Sequence, residues 1–142
     1  MKRPWFLALL LLTGCRDVRV QTLVQGTTPV MGGNEVIVVR DARTLDDVRI
    51  RAPVHYRSEF ALALLMGPHQ RSGYKQIIES IRANRSGVRI VAFESPPANG
   101  GEPSPRYRTF TLWIVPHSVY RRGLSVAVVT PSNTPIAFTS LP

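Results

Sequence analysis

"FALALLM", residues 60–66, sets the reading of the whole chain. Phe60, Leu62 and Leu64 alternate with Ala61 and Ala63. A period of two belongs to a strand, because successive side chains leave it on opposite faces. The same period recurs in "RTFTLWIV" at 108–115, with Phe110, Leu112 and Ile114 on one side and Thr109, Thr111 and Trp113 on the other. It returns in "DVRVQ" at 17–21, "VRIR" at 48–51, "LSVAVVT" at 124–130 and "IAFTSL" at 136–141. "EVIVVR" at 35–40 and "VRIVAFES" at 88–95 are apolar, β-branched runs and predict strands buried on both faces.

Turn chemistry separates these runs. Gly26-Thr27-Thr28-Pro29 and Gly32-Gly33-Asn34 lie between the first two strands, and Gly67-Pro68 forms a corner after Met66. Ser86-Gly87 and a Pro131–Pro135 hairpin mark later breaks, and "PPANGGEPSP", residues 96–105, predicts a long mobile surface loop. "RTLDDV" at 43–48 predicts one short helical turn capped by Thr44, with Asp46 and Asp47 in its first turn. "YKQIIESIRAN" at 74–84 fits either a helical stripe (Ile77, Ile78, Ile81) or a strand face (Tyr74, Gln76, Ile78, Ser80). The expected fold is all-β: a small antiparallel β-sandwich or partly open barrel of about seven to nine strands.

The N-terminus has a basic start at Lys2-Arg3, an apolar core from Trp5 to Leu12, and Thr13-Gly14-Cys15 at the exit. This is the pattern of a secretory signal. Leu12-Thr13-Gly14-Cys15 resembles the bacterial lipobox, which implies cleavage after residue 14 and acylation of Cys15. The alternative is an ordinary signal peptide that happens to contain a cysteine. Cys15 is the single cysteine of the chain, so no intramolecular disulfide can form. Two or more acyl chains hold a protein firmly to a bilayer. With Arg16 rather than Asp after the cysteine, the resemblance implies the periplasmic face of the outer membrane. Residues 15–142 would then form a single β domain.

The formal charge of +9 falls to +7 when Lys2 and Arg3 leave, and sixteen arginines face only two lysines. Arginine pairs bidentately with carboxylate and phosphate. Either an anionic partner or a solvated basic surface accounts for this. The arginines are dispersed through the chain, no basic helix accompanies them, and nucleic acid is not the expected partner.

Residues 60–116 resemble the C-terminal domain of the PrcB family, accessory lipoproteins of a bacterial protease complex. The likeness rests on Phe60–Gly67, "PHQRSGY", "KQIIESI", "VRIVAFESPP" and "FTLWIVPHS", with "HYRSEF" at 55–60 as the approach, so that the similar core runs over about 55–118. Arg71-Ser72-Gly73 stands where the family pattern has Thr-Gly-Gly. The resemblance implies an extended 74–82 and a protein-binding loop at His69, Gln70, Arg71, Ser72, Gly73 and Tyr74. It places structural turns at Gly67, Pro68, Pro96, Pro97 and Pro116. The Gly-Tyr loop is also similar to that of chagasin-type cysteine protease inhibitors, a minor variant of the same expectation.

Signals for catalysis are absent. Asp46 and Asp47 are adjacent and would point apart on a strand. His55, His69 and His117 lack metal-ligand spacing, and Ser58, Ser72 and Ser118 lack a nucleophile elbow. "MGGNE" and "NGGEP" lack the Lys-Ser/Thr of a phosphate loop. The expectation is therefore a non-enzymatic, lipid-anchored envelope protein without cofactor, metal or small-molecule substrate. It would bind another protein, an envelope protease in the reading the resemblance implies. The alternatives are an electrostatic binder of anionic envelope polymers or DNA, and a structural lipoprotein with no specific ligand.

Overall fold

A computed structural model describes residues 16–142. Cys15 and the expected signal segment, residues 1–14, lie outside the described residues. Among the described residues, eight strands form two four-stranded sheets, in keeping with the expected all-β sandwich. In chain order they are β1 (Gln21–Thr28), β2 (Glu35–Val39), β3 (Glu59–Arg71), β4 (Lys75–Asn84), β5 (Gly87–Ser95), β6 (Pro103–Pro116), β7 (Ser125–Val129) and β8 (Pro135–Ser140). Sheet I has the order β1-β6-β3-β2 and sheet II the order β4-β5-β7-β8. All neighbours are antiparallel except β5 and β7, which pair in parallel. A parallel pair requires a crossover; here β6 supplies it by passing through the other sheet.

The alternation at 60–66 has a consequence beyond a one-sided strand: both faces of β3 are buried. Phe60, Leu62, Leu64 and Met66 pack between the sheets with Trp113, Ile90 and Val128. Ala61, Ala63 and Leu65 face the other way, with Phe110, Leu112 and Ile114 of β6. That outer face is roofed by helix α1 (Ala42–Asp47) and the chain that follows it, through Leu45, Val48 and Ile50. The Thr28 hydroxyl donates to the Val48 carbonyl at 2.6 Å and fastens this roof to the end of β1.

The structure revises several expectations. The segment 48–51 is not a strand, although Val48 and Ile50 are buried as its alternation requires. It closes α1 instead. Arg49 takes φ 51°, its N–H donates to Asp46 O at 3.0 Å, and the Ile50 N–H donates to Leu45 O at 3.0 Å. This paired closure satisfies the last carbonyls of the helix. At the other end Asp41, not Thr44, is the N-cap, and Asp46 and Asp47 fall at the helix end. The Thr44 N–H, and then the Thr44 hydroxyl, donates to the Asp41 carboxylate and holds its pKa below the usual value. The cap therefore contributes stability at neutral pH that is lost as pH falls through that lowered pKa.

Three strands differ from expectation. β1 begins at Gln21 and runs through Gly26 to Thr28, so these residues extend a strand rather than a turn. Only Val18 of 17–20 makes a β-bridge, to Ala83. In β5, Val88, Ile90 and Ala92 are buried while Arg89 and Phe93 are exposed, so it is not buried on both faces; β2 packs both faces as expected, Val36 and Val38 between the sheets and Ile37 and Val39 under the roof. Gly67 and Pro68 do not end β3. Its pairing with β6 shifts register between Met66 and His69, so the two residues form a bulge across a cis bond, and the strand continues to Arg71. The Gly67 N–H donates to Asn34 Oδ1 at 3.0 Å, and a side chain at Gly67 would meet Arg108 Cγ at 3.0 Å.

Arg108 fills the space beneath that bulge. It is 1% exposed, and it donates to Val30 O (2.8 Å), Gly33 O (3.0 Å) and Glu35 Oε1 (2.6 Å). It thereby ties the β1–β2 connection to sheet I.

Substitutions at Arg49, Arg108 and Glu35 test this account by chemical denaturation. Arg49→Gly relieves a left-handed side chain and should stabilise the protein by about 0.5–1 kcal/mol, whereas Arg49→Ala should give no gain. Arg108→Met strands two carbonyls and should cost about 2–3 kcal/mol. Glu35→Gln should cost about 1 kcal/mol or less, because the Glu35 side chain is 46% exposed and water can replace its partner.

Candidate functional site

The residues expected to form one loop divide between a strand and a turn. His69, Gln70 and Arg71 belong to β3, and only Ser72, Gly73 and Tyr74 connect it to β4. Gly73 adopts φ 98°, and a Cβ there would lie 2.7 Å from Pro97 Cβ, so the turn sits directly on the chain leaving β5.

The expected 96–105 loop is shorter than predicted, because Pro103 to Pro105 already belong to β6. What remains is tied down. Arg71 donates through Nε to Gly100 O at 2.6 Å and through Nη2 to Gly101 O at 3.2 Å. The Ser72 N–H donates to Glu102 O at 2.9 Å, and the Glu102 N–H donates to Ser72 Oγ at 3.2 Å. Gly101 passes so close to Ser72 that a Cβ would fall 2.2 Å from its carbonyl oxygen. The Tyr107 hydroxyl adds a bond to Arg71 O at 2.6 Å. Two loops thus brace each other, and Arg71 is the principal brace. Of the remaining predicted turn residues, Pro96 and Pro97 follow β5 and Pro116 ends β6 at the opposite end of the sandwich, leading into a short 3-10 helix at His117–Val119.

Tyr74 stacks on the His69 ring, with centroids 3.9 Å apart and planes 11° from parallel. His69 Nε2 lies 2.6 Å from Glu94 Oε2, and the Thr109 hydroxyl donates to that same oxygen at 2.8 Å. From Thr109 the polar contacts run inward to Gln76, which is 6% exposed. Its amide nitrogen donates to Leu64 O and Thr109 O, both at 3.0 Å, and its Oε1 accepts from the Thr111 hydroxyl at 2.7 Å. Gln25 closes the series by donating to Thr111 Oγ1 at 3.0 Å. A polar ladder therefore joins sheet II to sheet I and ends under the Tyr74 ring.

The ladder is built to hold shape. Nucleophilic catalysis needs a hydroxyl whose proton a base can take. Here the Thr109 hydroxyl is buried and donates to a carboxylate that His69 also engages, so imidazole and hydroxyl meet the same oxygen and not each other. Among the described residues, no three of His, Asp, Glu and Cys gather as metal ligands.

Above the ladder lies an open cleft of about 340 Å³, lined by Thr27–Pro29, Ser72–Tyr74 and Ser104–Tyr107. Of the expected loop, Ser72, Gly73 and Tyr74 reach this cleft. His69 supports it from below, Arg71 braces its wall, and Gln70 is exposed on the strand. Sequence reading did not single out Gln76, Glu94, Thr109, Thr111 or Tyr107. Its available signal was polar residues at inward positions: Thr109 and Thr111 share the alternation phase of Trp113. Comparison with family models, with curated proteins and with solved structures finds no match to this chain.

Proposed function

We propose that this protein is a non-catalytic, lipid-anchored envelope protein that grips a segment of another protein in the cleft at Ser72–Tyr74. The proposed anchor is Cys15, the proposed location the periplasmic face of the outer membrane, and the proposed partner an envelope protease that it stabilises or modulates. One observation carries the binding role: the cleft wall is braced before any partner arrives. Arg71, Ser72 and Tyr107 fix the turn by five hydrogen bonds, and His69 fixes the Tyr74 ring from below. Binding to a preformed surface avoids the ordering cost of a flexible loop. A tyrosine held in this way offers a rigid apolar face together with a hydroxyl, the combination that anchors protein interfaces. The protease assignment and the anchor come from the sequence resemblances; the cleft supports the binding role.

The alternative, an electrostatic binder of anionic polymers, differs in its salt dependence. The test is recovery of the anchored protein from its own envelope at low and high salt, with bound proteins identified by mass spectrometry. A protein recovered in stoichiometric amount at both salt levels, and lost at least tenfold with Tyr74→Ala (about 1.4 kcal/mol or more), is the expected result. The Tyr74→Ala protein should keep its melting temperature within a few degrees. Undiminished recovery with a folded Tyr74→Ala protein, or recovery of polyanions alone and only at low salt, would reject the proposal.

A further inference from the structure

Exposed arginines are more numerous at the end of the sandwich opposite the cleft, although the cleft end also carries Arg71, Lys75 and Arg106. Strand directions place the residue 17–19 segment, the β4–β5 turn and the β6–β7 connection together at the end opposite the cleft. Arg85, Arg121 and Arg122 are exposed there and form no ion pair among the described residues. Arg16 and Arg19 are also exposed at this end, and Arg40 stacks over the Tyr120 ring at 4.9 Å. Its acidic groups are already engaged. Asp17 accepts from Asn84 at 3.0 Å and lies 3.9 Å from Arg82, Asp41 caps α1, and Glu59 accepts the His55 N–H at 2.9 Å. Between Arg85 and Arg121 lies a recess of about 350 Å³ that also exposes Ser118.

The chain enters the domain at this same end. The Val18 N–H donates to Ala83 O at 2.7 Å, which fixes residue 18 beside the β4–β5 turn. Three residues span at most about 10 Å, so a membrane anchor at Cys15 would hold the arginines within about one Debye length of the bilayer. β6, 14 residues long, runs from the cleft to this end. A strand of that length would keep the cleft roughly 40 Å from the surface.

We infer that this end is a docking surface for anionic phospholipid headgroups, which turns the domain so that the cleft at Ser72–Tyr74 faces away from the membrane. The recess between Arg85 and Arg121 suits a phosphate group, which guanidinium groups bind in bidentate fashion. The inference rests on the proposed anchor at Cys15, and its test separates the two.

The full chain is expressed in a bacterial envelope, purified in detergent and weighed by mass spectrometry; an unmodified Cys15 rejects the anchor. Two variants, Ser140→Cys at the basic end but outside the recess and Asn99→Cys beside the cleft, are labelled with a donor fluorophore. Each is reconstituted into phosphatidylcholine vesicles carrying headgroup acceptors, with and without about one-third phosphatidylglycerol. Greater energy transfer from position 140 than from 99 is expected, with a clearly larger difference in the anionic than in the neutral vesicles. Combining Arg85→Gln, Arg121→Gln and Arg122→Gln should reduce the ratio of docked to undocked protein roughly a hundredfold, about fivefold per arginine. High salt should bring the difference in the anionic vesicles down to that in the neutral ones without any substitution. Equal transfer from both positions, or an unchanged difference in neutral vesicles, overturns the inference. If Cys15 is unmodified, co-flotation of the same chain with the anionic but not the neutral vesicles still supports the surface, and flotation with neither overturns it. Release from the anionic vesicles by duplex DNA at equal phosphate concentration would make the surface a general polyanion site and overturn the lipid assignment.

Discussion

The antiparallel pairing of β3 with β6, buried on both sides, is the constraint from which the rest of the structure follows. Paired from Glu59↔Pro116 to Arg71↔Pro103, the two strands form the centre of sheet I. Their inner side chains need a second sheet, and their outer ones need a roof. Sheet II meets the first need through Val88, Ile90, Val126 and Val128. α1 and residues 48–56 meet the second through Leu45, Val48, Ile50 and neighbouring apolar groups. Removing a buried leucine from such a pair costs about 2–5 kcal/mol, because close-packed neighbours cannot collapse into the gap. The roof explains why a chain dominated by strands spends residues 42–56 on a short helix and irregular chain: without it Ala61, Ala63, Leu65, Phe110 and Leu112 would face water.

Polar groups inside this frame are organised by the same pair. Arg108 and Thr109 are neighbours on β6, yet they serve opposite faces. Arg108 turns outward and gathers the β1–β2 connection, while Thr109 turns inward and meets Gln76. A buried polar group is tolerated only when its hydrogen bonds are made. The Gln76 amide meets this by spanning the gap between the sheets. Trp113 does not: its indole N–H has no partner among the described residues. The ring fills the space between the sheets beside Phe60 and Leu62, and its apolar contacts offset the unmade bond.

Much of the strand content was legible because period-two alternation survives wherever a strand has two unlike faces. It misled where backbone geometry broke the period. In β4 the register shifts between Ile78 and Ser80, so that Ile78 and Ile81 pack against the core although they are three residues apart. A bulged strand thereby imitates a helical stripe, which is why 74–84 read both ways. At 48–51 alternation predicted the burial of Val48 and Ile50 correctly and the backbone incorrectly, because a helix closure can point alternate residues inward as well as a strand can. Gly67-Pro68 carried turn chemistry but lies opposite Tyr107 and Arg108, where a partner strand keeps the chain extended and converts the corner into a bulge. The cleft was legible only in part. Gly73 and Tyr74 were visible as a turn and a ring. The brace from Arg71 to Gly100 and Gly101 joins residues about thirty apart and leaves no local trace.

The separation of a braced cleft from a basic end is a consequence of topology. β3 delivers Ser72–Tyr74 to one end, and β4 carries the chain back to Asn84 at the other. β6 repeats the passage from Pro103 to Pro116, so the β4–β5 turn and the β6–β7 connection meet at the end where Val18 is bridged to Ala83. Ordinary strand reversals therefore sort the loops into two groups with different chemistry. The cleft group carries glycine, proline and tyrosine, residues suited to close backbone approach and fixed shape, together with Arg71, Lys75 and Arg106. The opposite group carries arginines whose neighbouring carboxylates are already occupied. Arg16, Arg19, Arg85, Arg121 and Arg122, far apart in sequence, thereby come to share one end, which no window along the chain could reveal.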